Sequence, residues 1–201
     1  IKTTYRCNNL CQLCCQNRDL RQSNSDMTFN EAAEIIKKEI VLGVDKIVLT
    51  GGEPLLNKDI LKIISYAHDM SITTIQLQTN GRLLKDKSFL DDVRKAGVNE
   101  FGISLHGHTA NIHEKFSNTE SYFDVITALE NLKDHSCNTV INCVITKSNY
   151  EYLVQMANFV KENEYANVLQ FAYLHAIGNA ERQFDRTLTL SEASEKICRK
   201  T

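Results

Sequence analysis

Short apolar runs of strand length alternate with segments of helical spacing along most of the chain, and this alternation restricts the possible folds more than any other feature. Six runs have the length and composition of strands: residues 3–6, 46–50, 73–78, 100–105, 138–145 and 167–174. Strands that are separated by helices form parallel sheets with right-handed crossovers. The sequence therefore predicts an α/β fold with a parallel sheet. The pattern alone leaves an open doubly wound sheet and a barrel as alternatives.

The predicted helices have recognisable ends. Thr28 and Glu31 have the spacing of a capping box, which predicts a helix from there to about Leu42, where Gly43 stops it. Four further helices are predicted over residues 57–70, 85–96, 122–135 and 149–163. A weak helical signal begins at Ser191. Because the sequence begins inside a strand pattern and stops within a helical one, we expect it to be a portion of something longer.

Composition and charge argue against several classes of protein. The 201 residues, of which 42% are apolar and 24% charged, are typical of one globular domain with a substantial core. No apolar run approaches the roughly 18 residues of a membrane span, and no signal peptide is recognisable. The net charge of −2 supplies no basic field that would attract nucleic acid or anionic lipid. We therefore expect neither a membrane nor a nucleic-acid partner.

The cysteines indicate both a cellular location and a metal centre. Their number is odd and four of them lie within nine residues, which argues against a secreted disulfide framework and predicts a reducing cytoplasm. Cys7, Cys11 and Cys14 have the spacing C-x3-C-x2-C directly after the first predicted strand. Thiolates are soft ligands that select zinc, Cu(I) or iron–sulfur clusters. Three ligands leave one metal position open, which suits catalysis better than a purely structural site.

Glycine and polar residues follow the predicted strands at their carboxyl ends, where ligands bind in α/β sheets and barrels. The sequence Gly-Gly-Glu-Pro stands at 51–54, after the second predicted strand. Two glycines permit a close approach of the main chain to a ligand, and they are equally compatible with a tight strand–helix turn. The sequence Thr-Asn-Gly stands at 79–81, after the third strand, and Asn-Gly is also a common turn dipeptide.

The spacing of Cys7, Cys11 and Cys14, followed by Gly-Gly-Glu-Pro at 51–54, resembles the leading motifs of the radical S-adenosylmethionine (SAM) enzymes. The resemblance implies that the three cysteines hold a [4Fe–4S] cluster and that SAM chelates the fourth iron. It also implies a (β/α)6 partial TIM barrel, in agreement with the six predicted strands. Residues 1–180 are then the core domain, and residues 181–201 are a C-terminal tail or the start of a missing extension.

The same resemblance assigns residues to SAM. The residues that it places against this cofactor are Gly51, Gly52, Glu53, Pro54, Thr79, Asn80, Ser104, Asn142, Leu13 and Leu174. The backbone of the Gly-Gly-Glu-Pro turn is expected at the amino group of SAM, and Ser104 at its carboxylate or ribose. Leu13 and Leu174 are expected beside the adenine. Asn142 interrupts an otherwise apolar strand, where a polar side chain requires a partner.

Three histidines, His106, His108 and His113, lie close together in a predicted loop. They are compatible with a second metal site or with acid–base groups for a substrate. Solvated or turn-stabilising histidines are the interpretation that we favour, because no fourth ligand lies nearby. Many radical SAM enzymes have an aspartate at the position of His106, so a role cannot be transferred to this residue directly.

The resemblance implies that the reduced cluster cleaves SAM to methionine and a 5′-deoxyadenosyl radical, which abstracts hydrogen from a substrate. A flavodoxin or a ferredoxin is expected to supply the electron. We expect a peptide or protein substrate, with a small metabolite or a nucleoside as the alternative. Two other classes are an iron–sulfur electron carrier or sensor, and a zinc-stabilised binding module that uses the three cysteines and a distant histidine. The carrier explains the cysteines but not Gly-Gly-Glu-Pro.

Overall fold

The computed structural model describes residues 1–16, 26–174, 177, 178, 180, 181, 188 and 192. Within this part, five strands form one parallel sheet: β1 (Lys46–Leu49), β2 (Thr74–Thr79), β3 (Glu100–Ser104), β4 (Asn138–Ile145) and β5 (Val168–Tyr173). The order of the strands in the sheet is their order in the sequence. The helical signal that begins at Ser191 lies, apart from Glu192, outside the described residues.

Six α-helices belong to the described part: α1 (Phe29–Val41), α2 (Ile60–Asp69), α3 (Lys87–Ala96), α4 (Ala110–Ser117), α5 (Tyr122–Lys133) and α6 (Leu153–Glu162). The capping box that starts α1 is present, because the side chain of Thr28 accepts from the Glu31 amide while the Glu31 carboxylate accepts from the Thr28 amide. Helix α4 was not predicted. Its two apolar residues at an i, i+4 spacing, Ile112 and Phe116, are the signal that could have indicated it.

Sequential strand order distinguishes the two folds that the sequence left open. A doubly wound sheet reverses its strand order at a switch point, and its helices cover both faces. A sheet whose parallel strands follow one another without reversal, with right-handed crossovers, carries its helices on one face and curves into a barrel wall. All four neighbouring pairs here are consecutive and parallel. The chain is therefore a partial barrel, as expected.

The first predicted strand, residues 3–6, differs from the expectation. Only one parallel bridge joins this segment to the sheet, between Lys2 and Thr50, although the Thr3 amide also donates to the Thr50 carbonyl over 2.8 Å. Beyond this point the segment crosses the glycines that follow β1, where the Gly52 amide donates to the Thr4 carbonyl over 2.8 Å. The segment thus occupies the sixth strand position beside β1 without continuing as a ladder.

The core lies between the sheet and the helices. Apolar residues at alternate strand positions are fully buried on the helix-covered face, as are the inward residues of α2 and α5. The opposite, concave face carries mostly polar side chains, because the residues between the buried ones in β2 and β3 are glutamine, glutamate, glycine and serine. Across the described residues, no helix is long and apolar enough to cross a membrane.

Candidate active site

A cavity of about 640 Å³ opens at the carboxyl ends of the strands and contains the side chains of Cys7, Cys11 and Cys14. Its volume is within the range of small-molecule sites. Other cavities of similar volume lie elsewhere on the protein and contain none of these three cysteines. Volume alone therefore does not identify the site. The site is identified by the kinds of residue that line this cavity.

Most of the residues that the sequence assigned to SAM line this same cavity. They are Leu13, Gly51, Gly52, Thr79, Asn80, Ser104 and Leu174. Three further assigned residues, Glu53, Pro54 and Asn142, are not among the described residues that line it. The fold therefore brings together ten of the thirteen residues assigned to the cluster or to SAM, the three cysteines included, although they come from five separate parts of the chain.

The loop that carries the cysteines is held by polar contacts with the next strand ends. The Arg82 guanidinium donates from Nη1 to the Asn8 carbonyl over 2.6 Å, and the Asp124 carboxylate holds the same guanidinium over 3.0 Å. The Asn80 Nδ2 donates to Asn8 Oδ1 over 2.7 Å. Because both contacts fall on the residue that follows Cys7, they fix the position from which this cysteine enters the cavity.

The two glycines after β1 are required by the chain that crosses them. A Cβ atom at Gly51 would lie 2.5 Å from the Thr4 carbonyl oxygen, and one at Gly52 would overlap the Arg6 carbonyl oxygen. No side chain fits at either position without moving backbone atoms. From the sequence, the two glycines were explained by a close approach of the main chain to a ligand or by a tight turn. The structure adds a separate reason, which is the close packing of the cysteine-bearing segment against the turn.

Glu53 lies behind the cavity wall and is fully buried. Its carboxylate accepts from the Leu55 amide over 3.1 Å, the Thr79 hydroxyl over 2.7 Å and the Asn80 amide over 2.8 Å. Burial raises the pKa of Glu53 from 4.5 to about 7, although these three donors oppose the rise. The side chain thus joins the turn after β1 to the end of β2. The resemblance placed the backbone of this turn at SAM, and the position of the Glu53 side chain behind the wall is a structural finding that sequence patterns could not reveal.

His106 and His113 are buried and therefore not solvated, whereas their ring contacts with backbone amides agree with the turn-stabilising interpretation. The Val144 amide donates to Nδ1 of His106 over 3.2 Å, and the His106 amide donates to Nδ1 of His113 over 3.1 Å. A ring nitrogen that accepts a hydrogen bond carries no proton, so the proton of each neutral ring is on Nε2. His113 Nε2 then donates to Ser121 Oγ over 3.1 Å.

Electrostatics keeps both rings neutral. Burial lowers the pKa of His106 well below 6.5, and the neighbouring His113 lowers it further. Burial also lowers the pKa of His113 to about 4. The His106 ring lies against the Phe116 ring, with a centroid distance of 3.8 Å, and it lines the cavity. His106 therefore presents a neutral, fixed side chain to the cavity, and His113 supports it from α4 and not from a loop.

The donor set fits an iron–sulfur cluster better than a single metal ion. Thiolates bound to one zinc at about 2.3 Å lie within about 4 Å of each other. Among the described residues, no three His, Cys, Asp or Glu side chains are grouped closely enough to hold one metal ion. The corners of a [4Fe–4S] cluster are further apart, and three cysteines are the set that leaves one iron open.

A parallel partial barrel with three cysteines and a Gly-Gly turn at the carboxyl ends of its strands defines the class of SAM-dependent iron–sulfur enzymes. Residues 1–160 match the Radical SAM superfamily, and the chain belongs to this family. Enzymes of the superfamily use a [4Fe–4S] cluster and SAM, act on a substrate and require a reductant.

Relatives with curated names share sequence over much of the chain. A probable GTP 3′,8-cyclase of Sulfurisphaera tokodaii is 28% identical over 198 residues, which are 98% of this chain and 62% of that protein. A probable GTP 3′,8-cyclase of Methanocaldococcus jannaschii is 32% identical over 165 residues, which are 81% of this chain and 54% of that protein. The chain spans less than two thirds of the length of these relatives.

Solved structures support the fold. Streptococcus suis SuiB bound to the precursor peptide SuiA matches with a TM-score of 0.76 at 19% identity, over 87% of this chain and 38% of that one. The anSMEcpe structure with bound AdoMet matches with a TM-score of 0.72 at 21% identity, over 86% of this chain and 50% of that one. At these identities the likeness concerns the fold alone, so it does not transfer a peptide substrate to this chain.

Proposed function

We propose that this chain is the SAM-binding core of a radical SAM enzyme that removes hydrogen from a small nucleotide substrate. The observation that carries the proposal is the meeting of Cys7, Cys11 and Cys14 with the Gly-Gly turn in one cavity of about 640 Å³. The curated relatives named GTP 3′,8-cyclase support a nucleotide, whereas the expected peptide substrate has no support beyond a shared fold.

The residues of the chain have separate tasks in this proposal. The three cysteines bind the cluster, and Asn80 and Arg82 hold the loop from which Cys7 projects. The bound cluster and SAM supply one-electron chemistry that cleaves SAM and abstracts hydrogen from the substrate. The open backbone at Gly51 and Gly52 and the other cavity residues orient SAM.

Apolar side chains exclude water from one side of the cavity. Leu13 and Phe116 are buried together with Ala180, and Leu174 packs against them. Such a patch suits the flat, apolar faces of an adenine ring, because burial of apolar surface is favourable and a ring face offers no hydrogen-bonding groups. We therefore keep Leu13 and Leu174 as proposed adenine contacts. Phe116 joins them from α4, which the sequence did not predict.

The charge of the cavity also limits how a nucleotide is bound. No lysine or arginine is among the described residues that line the cavity. A triphosphate therefore needs cations from outside this set, in agreement with relatives that are longer than this chain.

We propose that the electron comes from a flavodoxin or a ferredoxin. A thiolate-bound cluster requires a reducing compartment, so we also propose a cytoplasmic location.

Anaerobic reconstitution with iron and sulfide, followed by dithionite reduction with SAM, tests the proposal. We expect formation of 5′-deoxyadenosine and methionine, measured by chromatography, and faster formation when GTP is added. Cys7→Ala should abolish both products, because the cluster loses a ligand. Cys137→Ala is the matched control, since this cysteine lies on the far side of the sheet beside Arg94 and is expected to retain both products.

Three outcomes would contradict the proposal at different levels. Iron binding without SAM cleavage across several reductants would favour an electron carrier. Retention of 5′-deoxyadenosine formation in Cys7→Ala would remove the cluster assignment. SAM cleavage that GTP neither accelerates nor turns into a new nucleotide product would leave the class intact and reject the nucleotide substrate.

A further inference from the structure

The concave face of the barrel contains two rows of polar side chains that differ in their hydrogen bonding. The lower row, which we call the paired row, consists of Lys46, Gln76, Glu100 and Asn138. Lys46 Nζ lies 2.9 Å from Glu100 Oε1, Asn138 Nδ2 donates to Glu100 Oε2 over 2.9 Å, and Gln76 also donates to this carboxylate. Lys46 is the main cause of a lowered pKa for Glu100. The members of the paired row satisfy one another's hydrogen-bonding groups, so this row needs no ligand.

The second row is nearer to the cavity, and we call it the amide cluster. It consists of Gln78, Asn142 and Gln170, which lie on β2, β4 and β5. The sheet register places Asn142 beside Ser104 on one side and beside Gln170 on the other, and it places Gln78 beside Gly102. Partners in a parallel register point to the same face, so the three amides share the concave face.

Gly102 allows the members of the amide cluster to approach each other. A Cβ atom at this position would lie 3.3 Å from Asn142 Nδ2 and 3.3 Å from Gln78 Cγ. The absence of a side chain on β3 thus leaves room for the two amides to lie over Gly102, which is buried beneath them.

The amide cluster has unused hydrogen-bonding capacity. Within the part of the chain that the structure describes, no protein group bonds the side-chain amides of Asn142 or Gln170. Gln78 makes one side-chain contact of 3.3 Å, from Nε2 to Gln76 Oε1. Barrel interiors are normally filled by branched apolar residues. Asn142 is half-buried and Gln78 and Gln170 are exposed, so all three amides are accessible to a ligand that enters the barrel, beside a row whose members are already paired.

The position of the cluster agrees with a substrate beside SAM. Gln78 and Ser104 also line the cavity, and so do Val144 and Ala172, each two residues beyond a cluster member on its strand. Two strand residues span about 6.6 Å, so Asn142 and Gln170 lie one such step deeper than the cavity wall, to which Gln78 itself belongs. A ligand seated there would be between the barrel floor and the cysteine-lined cavity.

The chemistry of the cluster selects a neutral, planar partner. Each amide offers both a donor and an acceptor, as the edge of a nucleobase also does, and Asn and Gln bind base edges with two hydrogen bonds. The Glu100 carboxylate beneath the cluster would repel phosphate, and its neighbour Lys46 is already engaged. A nucleotide would therefore enter with its base inward and its phosphates toward the mouth of the barrel.

We propose that Gln78, Asn142 and Gln170 bind the base of the nucleotide substrate above Gly102. This inference rests on the proposed function and assigns a new role to Asn142, which the resemblance had placed against SAM. It also explains why Asn142 does not line the cavity that contains the cysteines.

Binding measurements on the reconstituted holoprotein test this site. We expect Asn142→Leu and Gln170→Leu each to raise the dissociation constant of GTP about tenfold or more, as loss of a bidentate base contact does. Guanosine should lose affinity by a similar factor, because the lost contacts are to the base. Asn142→Asp, which keeps the shape but only accepts, should weaken ATP more than GTP, since the guanine edge presents two adjacent donors.

Asn138→Leu is the matched control. It makes the same amide-to-leucine change on the same face of the same strand, but in the paired row, and we expect it to leave the GTP dissociation constant unchanged. The free energy of unfolding of each variant, measured with urea, separates a folding defect from a binding defect. Asn142→Ser, which retains a smaller polar group, replaces the leucine variant if that variant does not fold.

The failure of this inference is distinguishable from the failure of the proposed function. If the wild-type holoprotein binds GTP and the variants bind it equally well, the amide site is wrong and the nucleotide substrate stands. If the SAM dissociation constant rises in Asn142→Leu as much as that of GTP, the residue belongs to the cofactor site and the inference is overturned. If the wild-type protein cleaves SAM but binds neither GTP nor guanosine, both the substrate class and the base site are rejected.

Discussion

Two walls of the cavity bury an ionisable side chain in different ways. The glutamate wall, formed by Glu53, Thr79 and Asn80, surrounds a carboxylate with three hydrogen-bond donors. The histidine wall, formed by His106, His113 and Ser121, surrounds two rings whose Nδ1 atoms accept from backbone amides. The first arrangement stabilises the charged form of its acid. The second is compatible only with neutral rings.

The difference explains how the two walls respond to pH. Donors around Glu53 limit the effect of burial, so its pKa is raised to about 7, and this group changes protonation near neutrality. Burial lowers the pKa of His113 to about 4 and that of His106 well below 6.5, so neither ring gains a proton near neutrality. The wall beside Cys7 is therefore the one that responds to pH, while the wall beside Phe116 keeps a constant charge.

The largest loss of stability is expected from Glu53→Leu. This change leaves the Leu55 amide, the Thr79 hydroxyl and the Asn80 amide without their acceptor in a buried place, which should reduce the free energy of unfolding by about 3 kcal/mol. Urea unfolding measures the loss. Glu53→Gln keeps one acceptor oxygen and should lose less. A loss below about 1 kcal/mol for the leucine variant would mean that the glutamate wall does not depend on this carboxylate.

A pH dependence of opposite sign is expected from the two walls. Because the pKa of Glu53 rises from 4.5 to about 7 on folding, the folded state binds more protons between these values, and this group destabilises the fold by about 3 kcal/mol as pH rises from about 4.5 to 7. His113 has a lowered pKa, so the unfolded state binds more protons, and this group costs stability as pH falls from 6.5 to about 4.

Glu53→Gln removes one of these two contributions. The stability of the variant relative to wild type should rise by about 3 kcal/mol between pH 4.5 and pH 7.5, which urea unfolding at both values measures. The subtraction cancels the histidine contribution and any effect of pH on the cluster. A constant difference across this range would show that Glu53 titrates at its ordinary pKa and that the walls do not differ in this respect.

An intermediate loss is expected when the histidine wall loses an acceptor. His113→Phe leaves the buried His106 amide unpaired and removes the contact with Ser121, which should reduce the free energy of unfolding by about 2 kcal/mol. His113→Asn places an amide oxygen close to the position of Nδ1 and should recover about half of the loss. Equal losses in the two variants would show that ring packing, and not the hydrogen bond, carries the effect.

The smallest loss is expected from Asn80→Ala, at the half-buried edge of the glutamate wall. The variant loses the 2.7 Å bond to Asn8 Oδ1, which should reduce the free energy of unfolding by about 1 kcal/mol. A double-mutant cycle with Asn8→Ala isolates this contact, and we expect a coupling energy of about 0.5–1 kcal/mol. Additive losses would show that the asparagine pair does not hold the cysteine loop.

Local sequence signals were sufficient for much of the fold. The capping box at Thr28, the stops at Gly43 and Gly97, and the alternation of apolar runs encode backbone conformation within a few residues, and helices and strands form where these signals predict them. Helix α4 was missed because only two of its eight residues, Ile112 and Phe116, are large and apolar. The first segment was predicted to be a strand but does not form one, because its ladder is interrupted where the segment crosses Gly51 and Gly52.

The sequence by itself determined the cysteine spacing, the Gly-Gly turn and the strand–helix alternation, because each depends on residues that are near neighbours in the chain. Only the tertiary structure decided that Glu53 is a buried support and that His106 and His113 are neutral and fixed. It also placed Asn142 with Gln78 and Gln170, and not in the cysteine cavity. Burial and hydrogen bonding at these residues depend on contacts with residues that are far apart in the sequence, so no local pattern encodes them.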